Sequence, residues 1–297
     1  MSPECRSASI VTDSLSATDP HLREQLSRPL IPAYITGMVR ERAIQEDAIT
    51  SSEVIDALLE GVKVGTSAPN PEEIKNVYAA QPEDNDIIHI CPSRKVSGWY
   101  LHALAASGEL KRRIDIFDAS ASAGTGLYVG EALRLAREGY GVEAIIKELE
   151  AFEKRTLVLS LVHDPKHLDA GGRAKVAMAK IASLLQMKVI VNPGVREEPT
   201  IVGRERKRTN AIRDMIEVIQ SDGRPIEHVS FSWSPNGTNP QGSLRVVDQV
   251  AEVNTIWKAL GSQRDGATRT EFELSPAAVV HLGPGNLSAS VLFQNAS

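Results

Sequence analysis

Asp86 to Asp118 reads DIIHICPSRKVSGWYLHALAASGELKRRIDIFD, and its punctuation decides the fold class. Asp86–Cys91 (DIIHIC) is a buried-strand candidate, broken by Pro92. The turn at Ser97-Gly98 opens a helix predicted to run to about Ser107. Ile114–Phe117 is the next strand, closed by Asp118. Strand, loop, helix and strand in this order point to a parallel sheet covered by helices.

The alternation continues outward from that stretch. Upstream, Ser9–Thr12 is a short strand ending at Asp13-Ser14. Thr50-Ser-Ser-Glu53 is a capping box before a helix with Val54, Ala57 and Leu58 on one face. Asn70, Pro71 and Glu73 start another helix with Ile74, Val77 and Tyr78 as its stripe, and the polar AQPEDND run ends it. Downstream, Gly124, Gly126 and Gly130 are read as a strand-to-helix turn opening the helix GEALRLAREG. Val142, Ile145, Ile146, Leu149 and Phe152 then keep the helical period. In such folds ligands sit beyond the carboxyl ends of the strands, where Asp13, Ser14, Ser93, Ser97 and Asp118 gather.

The second half is expected to begin with a strand at Thr156–His163. Gly171-Gly172-Arg173, a helix from Ala174 to Leu185 and a strand at Lys188–Val191 follow. The loop VNPGVREEPT leads to the basic run Arg204, Arg206, Lys207, Arg208 and a helix carrying Ile212, Met215, Ile216 and Ile219. His228–Trp233 is a strand, a loop spans Ser234–Gly242, and a helix runs from Ser243 to Leu260. Phe272–Leu274, Ala277–His281 and Ser288–Phe293 read as β, with the turn Gly283-Pro284-Gly285 among them. The expected division is 1–157 and 158–297.

Length and composition fit two globular domains: 297 residues, 42% hydrophobic and 24% charged. The aromatic share is 4%, so the apolar surface is mostly aliphatic, suited to a core or to a greasy tunnel. Lys and Arg total 33 against 38 Asp and Glu, for a net charge of −5, without the overall basic footprint of a nucleic-acid binder. Cys5 and Cys91 form neither a C-x-x-C pair nor a metal spacing, which favours a reducing compartment. The N-terminal stretch lacks an apolar secretion core, and no run approaches the ~20 apolar residues of a membrane span. A cytoplasmic location is expected.

Several residues invite a chemical reading, each beside a plainer one. Thr66-Ser67, in an expected loop before a helix, could hold an anion or simply cap a turn. Ser97-Gly98 has the same ambiguity and lacks the flanking glycine of a nucleophile elbow. Gly124-x-Gly126-x-x-x-Gly130 departs from a dinucleotide fingerprint, so close packing and turn geometry explain it better. His163 and His167 have a helical metal spacing, but Pro165 lies between them and no Glu joins them. Arg204–Arg208 is either a solvated face or a docking patch. His281, leaving an apolar segment into Gly-Pro-Gly, is either a core histidine or a functional group at a strand end.

In order, Thr12-Asp13-Ser14, Thr66-Ser67-Ala68-Pro69, Ser97-Gly98, Asp118-Ala119, Gly171-Gly172-Arg173, Arg206 and His281-Leu-Gly-Pro-Gly285 resemble the DegV family of fatty-acid-binding proteins. The resemblance spans nearly the whole chain. It implies a two-domain α/β fold: an N-terminal Rossmann-like parallel sheet with helices on both faces, and a C-terminal two-layer domain with a mixed sheet. It implies an acyl chain in a tunnel near the domain junction, as ligand, with no cofactor of the protein's own.

Some members of the family serve a bacterial fatty-acid kinase, presenting the fatty acid to an ATP-dependent partner that makes acyl-phosphate. On that resemblance Thr66 and Ser97 would hydrogen-bond the carboxylate, His281 with Arg173 would complete the network, and Arg206 would serve phosphotransfer or docking. The chain departs from the family pattern at Trp99, where S-G-T is usual, at Ala68 and Asn70 in place of Gln and Ser, and at Thr209-Asn210 in place of paired lysines. The rival readings are a lipid carrier or sensor without a kinase, and a serine hydrolase using Ser97 with His281.

Overall fold

The computed structural model describes residues 7–16, 19–26, 30–39, 42–120, 123–169, 186–235 and 248–295. In chain order these form β1 (Ala8–Thr12), α1 (Pro20–Gln25), β2 (Tyr34–Val39), β3 (Arg42–Gln45), α2 (Ser51–Leu59), β4 (Gly65–Ser67) and α3 (Pro71–Ala79). There follow β5 (Asp86–Cys91), α4 (Trp99–Ser107), β6 (Ile114–Asp118), α5 (Ala123–Arg137), α6 (Val142–Glu153), β7 (Thr156–Val162), β8 (Lys188–Asn192) and β9 (Thr200–Glu205). The last elements are α7 (Arg208–Gln220), β10 (Ile226–Trp233), α8 (Gln249–Ala259), β11 (Thr268–Glu273), α9 (Pro276–Leu282) and β12 (Leu287–Phe293).

Two compact units share the chain. Unit 1 comprises 1–33, 68–154 and 194–198; unit 2 comprises 34–67, 155–193 and 199–297. The change of unit at 154/155 lies beside the boundary expected near residue 157. The inclusion of 34–67 in unit 2 was not expected. Its physical reason is side-by-side packing within unit 2: α9 packs on α2 and β4, Ser51 Oγ donates to Leu274 O at 2.7 Å, and Glu46 Oε2 accepts from Ala277 N at 3.2 Å.

Unit 1 holds a parallel sheet in the order β1-β5-β6. The capping box at Asn70–Glu73 is present at the start of α3, with Pro71 at its first position. The fully buried residues of β5 include Ile87, Ile88 and Ile90, which is why that strand shows no polar alternation. Its buried polar member, His89, has Tyr78 Oη at 2.6 Å from Nδ1. Burial pushes the His89 imidazole down to about 3 and the Tyr78 phenol well above its ordinary value.

Gly124, Gly126 and Gly130 lie inside α5, not in the turn expected to precede it. Gly126 is there for close approach: a Cβ would stand 2.8 Å from Ser16 O.

Unit 2 holds a mixed six-stranded sheet, β11-β10-β12-β7-β8-β9, and a small antiparallel sheet, β3-β2-β4. The α2 capping box at Thr50–Glu53 is present. One face of the large sheet packs its apolar residues, among them Leu159, Phe231, Ala289 and Val291, against Ile212, Met215 and Ile219 of α7 and Val253 and Ile256 of α8. The alternate positions carry buried serines: Ser160, Ser230, Ser232, Ser288 and Ser290.

In the second half of the chain, two assignments differ from the sequence reading. Thr200–Glu205, read as loop and basic run, is the strand β9, paired antiparallel with β8. Ala277–His281, read as β, is helical. Ser275 caps that helix, with its Oγ accepting from Ala278 N, Pro276 sits at the first position, and Gly283 ends it at φ +72°. Those start and stop signals outweigh the β preference of Val279-Val280, both of them buried. Among the described residues no helix is long and apolar enough to cross a membrane.

Candidate functional site

The short strand β4 carries Thr66, which pairs with Ile35 of β2; the expected loop is therefore the end strand of the small sheet. The last turn of α9 carries His281. The two side chains meet with Thr66 Oγ1 2.8 Å from His281 Nε2, 215 positions apart in the chain and partly buried. A threonine hydroxyl both donates and accepts, and an imidazole nitrogen does either according to its tautomer. With Nε2 protonated and donating to Thr66 Oγ1, the threonine hydroxyl hydrogen is turned outward as a donor for one anionic oxygen, the kind of partner a carboxylate requires.

The turn after His281 is braced from several sides. Gly283 takes a left-handed backbone, and a Cβ there would lie 2.4 Å from Cδ2 of His167 and 2.9 Å from its Cβ. Ser234 Oγ donates to Gly283 O at 2.6 Å. Arg208 donates to Gly285 O at 2.6 Å while its guanidinium also forms a two-pronged ion pair with Glu252 at 2.6 and 2.7 Å. Arg208 is therefore a brace for the loop, not part of an exposed docking run.

His163 and His167 flank the same turn as packing groups. Burial, aided for His163 by the cations Lys188 and Arg208, pushes each imidazole down to about 4, so both are neutral near pH 7. Among the described residues no group of three or more His, Cys, Asp or Glu is placed to hold a metal.

Ser97 belongs to unit 1, in the loop between β5 and α4. Its Oγ accepts from Trp99 N at 3.2 Å, and its own N–H donates to Ser93 O at 3.0 Å. Buried Asp118 holds the loop, accepting from Arg94 N at 2.9 Å and pairing with the Arg94 guanidinium. Asp13 is spent locally, accepting from Ser16 N and Ser16 Oγ at 2.9 Å each.

Arg206 is exposed, in the two-residue link between β9 and α7, and Arg204 is exposed on β9. Arg173, with Gly171-Gly172 and the expected helix after it, lies outside the described residues. The brace residues Ser234 and Glu252 were missed by sequence reasoning. The serine row was legible in principle, since Ser288-Ala289-Ser290-Val291 alternates with period two.

Comparison with known proteins covers almost all of the chain. The profile of the DegV family, a family described as uncharacterised, matches residues 7–294. A DegV domain-containing protein of Halalkalibacterium halodurans is 31% identical over 207 residues, covering 67% of this chain and 71% of the relative. The structure of a DegV family protein from Thermus thermophilus, described for its fatty acid binding, is similar with a TM-score of 0.83 and 26% identity. It covers 97% of this chain and 100% of its own. DegV from Bacillus subtilis, described as a fatty acid binding protein, is similar with a TM-score of 0.79 and 25% identity over 97% of this chain and 100% of its own.

Proposed function

The chain belongs to the DegV family, and from that premise we propose that it binds a long-chain fatty acid and presents the carboxylate to an ATP-dependent kinase partner. The observation that carries the reading is the Thr66–His281 pair: a hydroxyl and an imidazole at 2.8 Å, partly buried and held by a braced turn. The similar proteins of T. thermophilus and B. subtilis, described as fatty acid binding, support it.

The energetics suit such a ligand. Each buried methylene is worth about 0.8 kcal/mol, so a chain of about fourteen contributes on the order of 11 kcal/mol before association costs. A carboxylate buried without partners would cost several kcal/mol, and charge-assisted hydrogen bonds offset that cost. Ser97 and Arg173 remain head-group candidates on the family resemblance.

The kinase step needs a partner because the sequence has no G-x-x-x-x-G-K-[ST] phosphate loop. A carboxylate oxygen would attack the γ-phosphorus of ATP, the bond to the ADP oxygen would break, and acyl-phosphate would form. Exposed Arg206 is the residue proposed for docking or for charge stabilisation in that step.

Native mass spectrometry of the purified protein, followed by extraction of bound lipid, tests the binding claim. A stoichiometric long-chain fatty acid supports it. A protein that is empty and takes up none when offered refutes it, and ester hydrolysis with labelling of Ser97 would then favour the hydrolase.

A further inference from the structure

Within unit 2 the segment 34–67 meets α9 at both ends of the helix. At its last turn, His281 Nε2 lies 2.8 Å from Thr66 Oγ1. At its start, Glu46 Oε2 accepts from Ala277 N at 3.2 Å, across 231 positions of chain, and Ser51 Oγ donates to Leu274 O at 2.7 Å. Glu46 opens a short 3₁₀ turn directly after β3 and is 3% exposed.

The helix does not need that carboxylate in order to form. Ser275 already caps it, with Oγ accepting from Ala278 N at 3.4 Å, and Pro276 occupies the first position. A buried carboxylate is costly unless it is hydrogen-bonded. A second, remote acceptor on a helix that has its own cap therefore calls for a further reason. The local cap accounts for the helix; what the remote one adds is a fixed position.

The small sheet sets the spacing between the two anchors. Tyr34 of β2 stands opposite Gln45 of β3 and opposite Ser67 of β4. Gln45 immediately precedes Glu46, and Ser67 immediately follows Thr66, so one cross-strand row carries both. Two strand spacings amount to about 9.6 Å. Ala277 and His281 are four residues apart on α9, a rise of about 6 Å. Side chains of ordinary length thus reach from the row to both ends of the helix.

We propose that Glu46 is a positioning residue for the carboxylate site. By holding the start of α9 it sets the placement of His281 against Thr66, and with it the direction in which the threonine hydroxyl donates. This rests on the fatty-acid reading above. Glu46 acts through α9, on the pair that meets the ligand.

The test is calorimetric titration of delipidated protein with palmitic acid and with 1-hexadecanol, for wild type, Glu46→Ala and Glu46→Gln. A displaced His281 impairs the hydrogen bond to the charged head group, so Glu46→Ala should weaken palmitate binding roughly tenfold. Hexadecanol affinity should stay within about twofold, because a neutral head gains less from that bond. Glu46→Gln keeps a carbonyl acceptor for Ala277 N and should recover most of the palmitate affinity. Unchanged palmitate affinity in Glu46→Ala overturns the proposal, as does an equal loss for both ligands, which would mark a general loosening of unit 2. A Gln variant as weak as the Ala variant also overturns it, since the hydrogen bond to Ala277 would then not be the cause.

A double substitution isolates the route. In a Thr66→Val background, Glu46→Ala should change palmitate affinity by less than about twofold, because the pair it positions is already broken. Full additivity of the two losses overturns the proposal. Where Glu46→Ala does not fold, Glu46→Asp carries the same test: the charge stays, and the acceptor retracts by one methylene. Palmitate binding should then weaken about threefold with hexadecanol unaffected; wild-type affinity for both ligands, or equal losses, overturns the proposal. Wild-type protein that binds no palmitate at all fails the fatty-acid reading itself, a result distinct from a binding wild type whose head-group selectivity is indifferent to Glu46.

Discussion

Unit 1 builds its parallel sheet from β5 and β6, joined through α4, and β1, which pairs with β5 in register from Ala8↔Asp86 to Thr12↔Ile90. Unit 2 assembles its candidate site from a hairpin segment near the start of the chain and a helix near its end. Their buried polar groups differ accordingly. Unit 1 keeps one His–Tyr pair within its core. Unit 2 places its neutral histidines, an ion-paired arginine and a left-handed glycine around the turn that follows His281. Unit 1 is organised around a sheet; unit 2 around a loop that must be held still.

The strongest way to break that contrast is at the loop. Gly283→Val adds a branched side chain at φ +72°, where even a Cβ would meet the His167 ring and its Cβ. It should destabilise unit 2 by about 3–4 kcal/mol. The readout is urea unfolding followed by Trp233 and Trp257 fluorescence in a Trp99→Phe background; an unchanged midpoint would mean the loop is not under constraint.

Next in size is Arg208→Ala, which removes the donor to Gly285 O and leaves Glu252 without its two-pronged partner. Both side chains are largely buried, at 13% and 18% exposure. A loss of about 2–3 kcal/mol is expected in the same assay. Arg208→Lys should recover only part of it, since an ammonium cannot reproduce the fork.

Acid sharpens the comparison further. The His89 imidazole is held down at about 3 in the folded chain, below its unfolded value of about 6.5. Its contribution to stability is therefore fully present above about pH 6.5 and is lost as pH falls toward about 3. His163 and His167, held at about 4, act with the same sign in unit 2. Between about pH 6.5 and about pH 5, His89 alone should cost unit 1 on the order of 2 kcal/mol. His89→Leu should flatten that slope by one proton for unit 1, tracked by Trp99, while leaving the acid response of unit 2 intact. An unchanged slope would show that His89 is not buried neutral.

The smallest effect belongs to Arg206→Glu. Its exposed position predicts a stability change within about 0.5 kcal/mol and unaltered fatty-acid retention. Acyl-phosphate formation by the reconstituted pair should nevertheless slow. Unaltered turnover would remove Arg206 from the phosphotransfer step.

Legibility in the sequence followed the locality of the contacts. The strand Asp86–Cys91, the helix Trp99–Ser107 and the two capping boxes were all readable because their signals lie within a few residues of the structures they create. The helix Pro276–Leu282 was misread even though Ser275-Pro276 and Gly283 bracket it. The two adjacent valines carry a strand preference, which the cap at Ser275, the proline at the first position and the stop at Gly283 override. The motifs containing Thr66 and His281 were visible one at a time. Their association was expected only on the family resemblance, because no local signal encodes a contact across 215 positions.

The amino-acid sequence by itself determined the α/β class, the family resemblance and the residue types available to receive a carboxylate, since all of these are carried by short-range patterns. The tertiary structure alone decided that 34–67 joins the C-terminal half, that Arg208 is a brace and that Glu46 meets the start of α9. Those facts depend on which surfaces burial brings together, and burial is a property of the packed chain that no stretch of sequence possesses alone.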